Sequence, residues 1–228
     1  MTKAQRTRSL ATHRTHYVKR IVKAWHSATT SDLEAGLAWY DRARAHAEVI
    51  HPNVLIGAGV IAALSPRCEW SLNKRWAQTI CDAAIAGSSC PSGVHTFAMR
   101  SKAWKIARLA NPTVEQIVTI LNGPKITRFF RNIIGDTSAV TIDVWAQRIA
   151  TGKDSSTPPK GAMYLTLERA YQLAAEQIGV PARDVQAATW VNIRGAAESL
   201  YGDSTSQLGL YFEESDDNLD ATFAPLTF

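Results

Sequence analysis

The sequence predicts an all-α protein of about ten helices. Apolar residues recur at helical spacing through most of the 228 residues, and glycine, proline and capping signals separate the periodic segments. No stretch combines strand alternation with hairpin turn signals convincingly enough to predict a sheet. The apolar fraction of 46% is enough for one large domain or two small, closely packed ones.

The first three helices are predicted from charge, capping and hydrophobicity. A basic amphipathic helix is expected at 15–28, and Ser31-x-x-Glu34 is interpreted as a capping box that begins a helix at 31–49. An apolar helix is predicted at 54–64, before a Ser-Pro pair.

That apolar segment also imitates the glycine-rich dinucleotide fingerprint G-x-G-x-x-A through Gly57, Gly59 and Ala62. The fingerprint requires a preceding strand and further βα units, which the sequence does not predict. We therefore interpret it as a buried helix whose small residues permit close packing.

Helices at 71–86 and 95–110 follow, and Thr113-x-x-Gln116 is predicted to cap a short helix that ends at Leu121. Three further helices are predicted towards the C-terminus: 144–150, 163–178 and 182–200.

The most informative segment joins Lys125 to Asp143. Residues 124–134 are predicted to form a helix that ends at Gly135, and residues 136–142 an extended return. Ten helical residues rise about 15 Å and seven extended residues span about 23 Å, so the return can bring Asp143 back to Lys125. An amine and a carboxylate would then meet at the starts of two helices.

Charge is unevenly distributed along the chain. Residues 202–228 hold six acids and no Lys or Arg, and we expect them to form a flexible acidic tail; residues 1–200 hold 25 bases against 14 acids. This basic body favours a polyanionic partner such as nucleic acid over a merely solvated surface.

Residues 1–201 are predicted to form one domain of two packed lobes, with the functional segment at 113–152.

Several classes are disfavoured. Three cysteines without C-x-x-C spacing argue against a disulfide framework, a zinc site or an iron–sulfur cluster, and the six histidines show no metal-ligand spacing. No apolar run reaches the length of a membrane span and no signal peptide is evident. We expect an intracellular protein that uses no metal and no cofactor.

The turn at Asn122-Gly123-Pro124 exposes backbone N–H groups where the dipole of the next helix favours an anion. Arg128 and Arg131 follow on that helix and could contact phosphate. An ordinary helix–turn–helix corner is the alternative interpretation.

Residues 119–152 resemble the helix-hairpin-helix and following aspartate segment of DNA glycosylases, in particular the endonuclease III-like branch. Lys125 matches the lysine of that family and Asp143 its aspartate, at the same spacing. The stretches 64–74 and 190–195 are also similar, so the resemblance covers roughly residues 50–200. In this chain Leu121 replaces the first glycine of the family hairpin, and the cysteine-rich iron–sulfur loop is absent.

The resemblance implies a two-lobed, monomeric enzyme that binds double-stranded DNA, flips out a damaged or modified base and excises it. Asp143, kept ionised by a helix N-terminus, would stabilise the positive charge on the sugar; otherwise it only caps its helix. Lys125 would be a Schiff-base nucleophile that adds lyase activity. If Lys125 instead contacts phosphate, water activated by Asp143 would cleave the bond.

Further roles follow from the same resemblance. Arg67 and Trp70 are predicted to fill the gap in the duplex or read the base, although Trp70 fits a core edge equally well, and the other tryptophans are predicted to be core. The predicted DNA contacts are Asn122, Gly123, Thr127, Arg128, Arg131, Lys74 and Arg75.

Two alternatives remain open. A glycosylase-like enzyme of phage DNA hypermodification would transfer a group onto a modified pyrimidine. A non-catalytic binding module would use the hairpin only to hold phosphates.

Overall fold

The computed structural model describes the backbone of residues 3–194, with side chains from residue 14. Eleven α-helices and no β-strand occupy this part of the chain, which confirms the all-α prediction. The helices are α1 (Lys3–His26), α2 (Thr30–Leu37), α3 (Trp39–Ile50), α4 (Val54–Ala63), α5 (Trp70–Ile85), α6 (Phe97–Ala107), α7 (Val114–Leu121), α8 (Pro124–Ile133), α9 (Val144–Thr151), α10 (Gly161–Ile178) and α11 (Ala182–Arg194).

The prediction for the second helix is wrong at its start and in its continuity. Thr29, not Ser31, caps the helix: its hydroxyl accepts from Asp32 N at 3.1 Å, and the Asp32 carboxylate accepts from Thr29 N at 2.9 Å. The segment then divides into α2 and α3 at Ala38. The break lies just before Trp39 and Tyr40, which are both buried in the core.

Helix α4 lies at the centre of the larger hydrophobic cluster, and residues 56–63 are all buried. A Cβ on Gly57 would lie 2.2 Å from Ala47 O, and one on Gly59 would lie 2.9 Å from side-chain atoms of Ile106 and Ile117. The glycines therefore permit close helix packing, which confirms the prediction of a buried helix in this segment.

The described core consists of two clusters. The larger involves α2 to α8 with the later part of α11, and the smaller joins α1, α9 and α10 with the return segment 136–142 and the start of α11. Lys125 belongs to a helix of the larger cluster, whereas Asp143 precedes a helix of the smaller one. The candidate site therefore lies where the two clusters meet.

No helix within the described residues is both long and apolar enough to cross a membrane. The predicted acidic tail and the last residues of the predicted 182–200 helix lie outside the described part of the chain.

Candidate functional site

The hairpin between α7 and α8 begins with the predicted capping box. Thr113 Oγ1 accepts from Gln116 N at 3.2 Å, and Gln116 Oε1 accepts from Thr113 N at 2.8 Å. At the other end of α7, Leu121 is fully buried and its carbonyl accepts from Lys102 Nζ at 2.8 Å. Leu121 is thus the last helical residue and anchors the turn in the core.

The turn itself contains two consecutive residues with positive φ. Asn122 has φ +46° and Gly123 has φ +129°, and Pro124 then opens α8. Left-handed backbone is accessible to Asn and favours Gly. The hairpin therefore turns at Asn122 and Gly123, directly after Leu121.

Lys125 lies in the first turn of α8 and points inward, with only 6% of its surface exposed. Helix α8 ends as predicted: Gly135 has φ +106°, and Asp136 N donates to Arg131 O at 2.9 Å. The chain then reverses into the return segment.

Asn132 holds the return segment against α8. Its Nδ2 donates to Asp136 O at 2.9 Å and to Ala139 O at 2.7 Å, and its Oδ1 accepts from Thr141 Oγ1 at 2.8 Å. Asn132 is completely buried, so these bonds replace the water that irregular backbone would otherwise require.

Tyr164 of α10 fixes the end of the return segment. Its hydroxyl donates to Val140 O at 2.9 Å and accepts from Ile142 N at 3.1 Å. Because Ile142 directly precedes Asp143, this buried hydroxyl sets the backbone position from which the carboxylate projects.

Asp143 is the N-cap of α9 and is 2% exposed. Its Oδ1 accepts from Ala146 N at 2.7 Å. Burial raises the pKa of Asp143, whereas the Lys125 charge and the Ala146 hydrogen bond oppose that rise. Desolvation outweighs these stabilising contacts, so the pKa of Asp143 lies above its ordinary value.

The effect of Lys125 on the Asp143 pKa requires the two groups to be close. The predicted return geometry is consistent with this. Trp190 and Arg194 of α11 also lower the Asp143 pKa, so both side chains lie near the carboxylate. The Lys125 amine, the Trp190 indole and the Arg194 guanidinium thus all act on the buried Asp143 carboxyl group.

A row of three tryptophans leads from this carboxyl group towards the surface. Trp190 lies 5.7 Å from Trp39, and Trp39 lies 5.4 Å from Trp70, between ring centroids. Trp70 is half-buried and packs on the larger cluster. Trp70 therefore lies at the edge of the core, and ring contacts through Trp39 and Trp190 link it to the candidate site.

Arg67 is exposed on the loop before α5 and has φ +51°, an uncommon conformation for a residue with a side chain. The loop is tied down by a 2.6 Å hydrogen bond between the His95 ring and Pro66 O. The loop therefore holds Arg67 outward on a constrained backbone.

Of the other predicted DNA contacts, Asn122 and Arg75 are exposed and Gly123 and Lys74 are half-buried. The Arg131 side chain is 37% exposed and lies 3.9 Å from Asp136. At these positions the residues are accessible enough to make the predicted phosphate contacts.

Two predicted contacts have other partners. The Arg128 guanidinium bonds Glu168 of α10 through Nε at 3.1 Å and Nη2 at 3.2 Å, which joins α8 to α10. Thr127 is buried, and its hydroxyl shares one proton between Gly123 O at 2.8 Å and Pro124 O at 3.0 Å. Both residues stabilise the start of α8, and neither arrangement favours a DNA contact.

Four residues of this region were not among the predicted site residues: Asn132, Tyr164, Trp190 and Arg194. Asn132 could have been recognised, since a polar residue inside the apolar run Phe-Phe-Arg-Asn-Ile-Ile must find buried partners. Tyr164 comes from a distant helix, and no local pattern marks it. Trp190 and Arg194 lie in the 190–195 stretch of the resemblance, but no role was predicted for either of them.

Among the described residues, no group of three His, Cys, Asp or Glu could hold a metal ion. The three cysteines are free, and burial raises the pKa of the Cys68 thiol to about 12. A thiolate nucleophile at that position is therefore disfavoured near neutral pH.

No curated protein and no solved structure matches the chain. The sequence matches the family described as a family of unknown function, DUF7178, over residues 3–197. The matched segment covers both hydrophobic clusters and the Lys125–Asp143 region. The chain belongs to the DUF7178 family.

Proposed function

We propose that this protein is a DNA glycosylase that removes a damaged or modified base, with Asp143 and Lys125 as its catalytic residues. The observation that carries the proposal is the burial of an amine and a carboxyl group at the starts of α8 and α9, where the charge of Lys125 acts on the pKa of Asp143. The hairpin that would hold the DNA backbone lies directly before Lys125.

The cost of burying the pair supports a functional role. Taking an ammonium and a carboxylate out of water costs several kcal/mol per ion, and apolar residues of similar size are often as stable. Strongly perturbed carboxyl groups are enriched at active sites for this reason. A non-catalytic hairpin module would need its lysine at the surface to contact phosphate, whereas Lys125 is buried.

Breaking the N-glycosidic bond leaves the bonding electrons on the departing base and positive charge on the sugar. The Asp143 carboxylate would stabilise that charge at C1′. Its hydrogen bond from Ala146 N fixes the carboxylate, so little reorganisation is needed when the charge develops.

Lys125 supplies the nucleophile. Loss of one proton from its ammonium to water leaves an amine whose lone pair forms a bond to C1′ as the base departs, while Asp143 remains a carboxylate. The proton on the newly bonded nitrogen then passes to the ring oxygen as the C1′–O4′ bond breaks. Opening of the sugar ring gives a Schiff base, from which the 3′ phosphate can be eliminated.

The target base must leave the duplex to reach the buried Lys125 and Asp143 side chains. The exposed Arg67 would occupy the vacated space, and the half-buried Trp70 would lie along the flipped nucleotide. DNA phosphates would bind the backbone N–H groups of the hairpin turn. Arg131, Lys74 and Arg75 would add positive charge for further phosphates.

The test is a panel of duplexes with damaged and modified bases, scored for free base by mass spectrometry and for a protein–DNA adduct trapped by borohydride. We expect Asp143→Asn to abolish base release and Lys125→Ala to abolish both release and the adduct. Lys105→Ala, at an exposed position of α6, should leave both unchanged.

Base release that survives Lys125→Ala but not Asp143→Asn would replace the amine with water as nucleophile. Release that survives both substitutions would overturn the assignment of the pair. DNA binding with no release across the whole panel would favour a binding module, and a mass increase on a modified pyrimidine would favour group transfer.

A further inference from the structure

A cleft of about 330 Å³ opens between α1, α9 and α11. Helix α9 contributes Trp145, Arg148 and Ile149, and Asp143 caps this same helix. The volume is at the lower end of the range for small-molecule sites, about 300 to 1,000 Å³. The cleft can therefore hold one nucleotide-sized ligand.

Three cations line this cleft: Arg20 and Lys23 of α1 and Arg148 of α9. None of its lining residues in the described chain is acidic. Arg148 does approach Asp154 at 3.0 Å, but the Asp154 side chain is 91% exposed, so water screens that pair strongly. The charge of the cleft favours an anion.

The two arginines are held in place by main-chain carbonyls. Arg20 Nε donates to Ile149 O at 3.4 Å, and Arg148 Nε donates to Ser155 O at 2.9 Å. A Cβ on Gly152 would lie 2.1 Å from Arg20 Cζ, so only glycine lets this guanidinium lie over the end of α9. Guanidinium groups positioned in this way are well suited to phosphate.

The remaining wall is aromatic and apolar. Trp145 is half-buried, and its ring centroid lies 4.7 Å from the Arg148 guanidinium and 5.1 Å from that of Arg194. Ile193 of α11 also lines the cleft and is exposed. Indole and guanidinium planes both stack on nucleobases, and each stacked base contributes about 1–3 kcal/mol to binding.

We propose that this cleft binds a nucleotide unit, with its phosphate on Arg20, Lys23 and Arg148 and its base against Trp145 and Ile193. The unit is either part of a DNA strand or a free nucleoside monophosphate. The proposal does not rest on the glycosylase activity, since neither Lys125 nor Asp143 lines the cleft.

The test measures binding by the full-length protein. Titration with dTMP, thymidine and inorganic phosphate is followed by calorimetry, and binding of a fluorescein-labelled single-stranded 12-mer by anisotropy. We expect dTMP, the 12-mer or both to bind, and Lys23→Gln and Trp145→Ala each to weaken that binding by about fivefold or more.

A control separates the cleft from general charge. Lys105→Gln removes one exposed positive charge on α6 and should leave affinity within about twofold, as expected for a surface change. Trp145→Phe, with melting curves for every variant, distinguishes a lost contact from a lost fold.

If the cleft substitutions weaken binding of the 12-mer but not of dTMP, the natural ligand is a DNA strand. If they weaken binding of dTMP but not of the 12-mer, the natural ligand is a free nucleotide. Equal affinity of wild type, Lys23→Gln and Trp145→Ala for both probes would overturn the proposal, as would inorganic phosphate binding as tightly as dTMP.

Discussion

The hairpin corner at residues 121–124 and the return segment at 136–142 lead to neighbouring charged groups, but they are stabilised differently. The hairpin joins two helices through two left-handed residues, and Lys102 caps the carbonyl at the end of α7. The return has no regular secondary structure and is buried over residues 139–142. Its backbone groups bond to distant side chains.

This difference has a physical consequence. A surface turn exposes its backbone to water, so local φ preferences determine its shape and a single change has a limited cost. Buried irregular backbone must be satisfied by specific partners, and each lost partner leaves a desolvated donor or acceptor. Substitutions in the hairpin should therefore disturb the position of Lys125 less than substitutions in the return segment disturb the position of Asp143.

The largest effect is expected for Asn132→Ala. This change removes three hydrogen bonds and leaves Asp136 O, Ala139 O and the Thr141 hydroxyl without this partner. We expect a loss of about 3 kcal/mol or more in the free energy of unfolding, measured by urea denaturation. Gln177→Ala, an exposed amide on α10, should change it by less than about 0.5 kcal/mol. Equal stability of the two variants would contradict the role of Asn132.

Tyr164→Phe should have the next largest effect. It removes the hydroxyl between Val140 O and Ile142 N at the base of Asp143. A loss of about 2 kcal/mol is expected, together with a fall in base release at unchanged DNA affinity. Tyr171→Phe on the same helix removes a hydroxyl that donates to Ala146 O at 3.2 Å and lies beside the Thr189 side chain, and it should cost about 1 kcal/mol. The comparison fails if Tyr171→Phe costs more than Tyr164→Phe.

Gly123→Ala tests the hairpin. A side chain at φ +129° is strained, and we expect a loss of about 1–2 kcal/mol in unfolding free energy with weaker DNA binding. Asn122→Gly is the matched control, because glycine adopts φ +46° more readily, and its stability should equal or exceed wild type. Unchanged stability in Gly123→Ala would show that the turn can adopt another shape.

The smallest effect concerns Asp136, at the start of the return. Burial alone would raise its pKa, but hydrogen bonds from Ser138 and Ala139 and the charge of Arg131 lower it overall. A lowered pKa stabilises the folded state above the unfolded value of about 3.9, and that stability disappears as pH falls through the folded-state pKa. Asp136→Asn should thus lose less than about 1 kcal/mol at pH 7, and its difference from wild type should shrink in acid. Urea denaturation at pH 7 and at pH 3 measures this, and a difference that grows in acid would contradict it.

Particular residues show how far the sequence predicts the site. The capping box at Thr113 and Gln116, the stop at Gly135 and the length of the return were predictable because each depends on neighbours in sequence. The division at Ala38 was not, since burial of Trp39 and Tyr40 depends on contacts with other helices. The pairing of Arg128 with Glu168 was not predictable either, because Glu168 is forty residues away in sequence.

The sequence by itself determined the helical class, most helix positions and the chain reversal between Lys125 and Asp143. These follow from hydrophobic period, capping residues and chain length, which are properties of short segments. Only the tertiary structure decided that burial raises the Asp143 pKa, that Trp190 and Arg194 surround the carboxylate, and that Glu168 engages Arg128. Desolvation and ion pairing depend on which distant helices pack together, and local sequence patterns do not determine that packing.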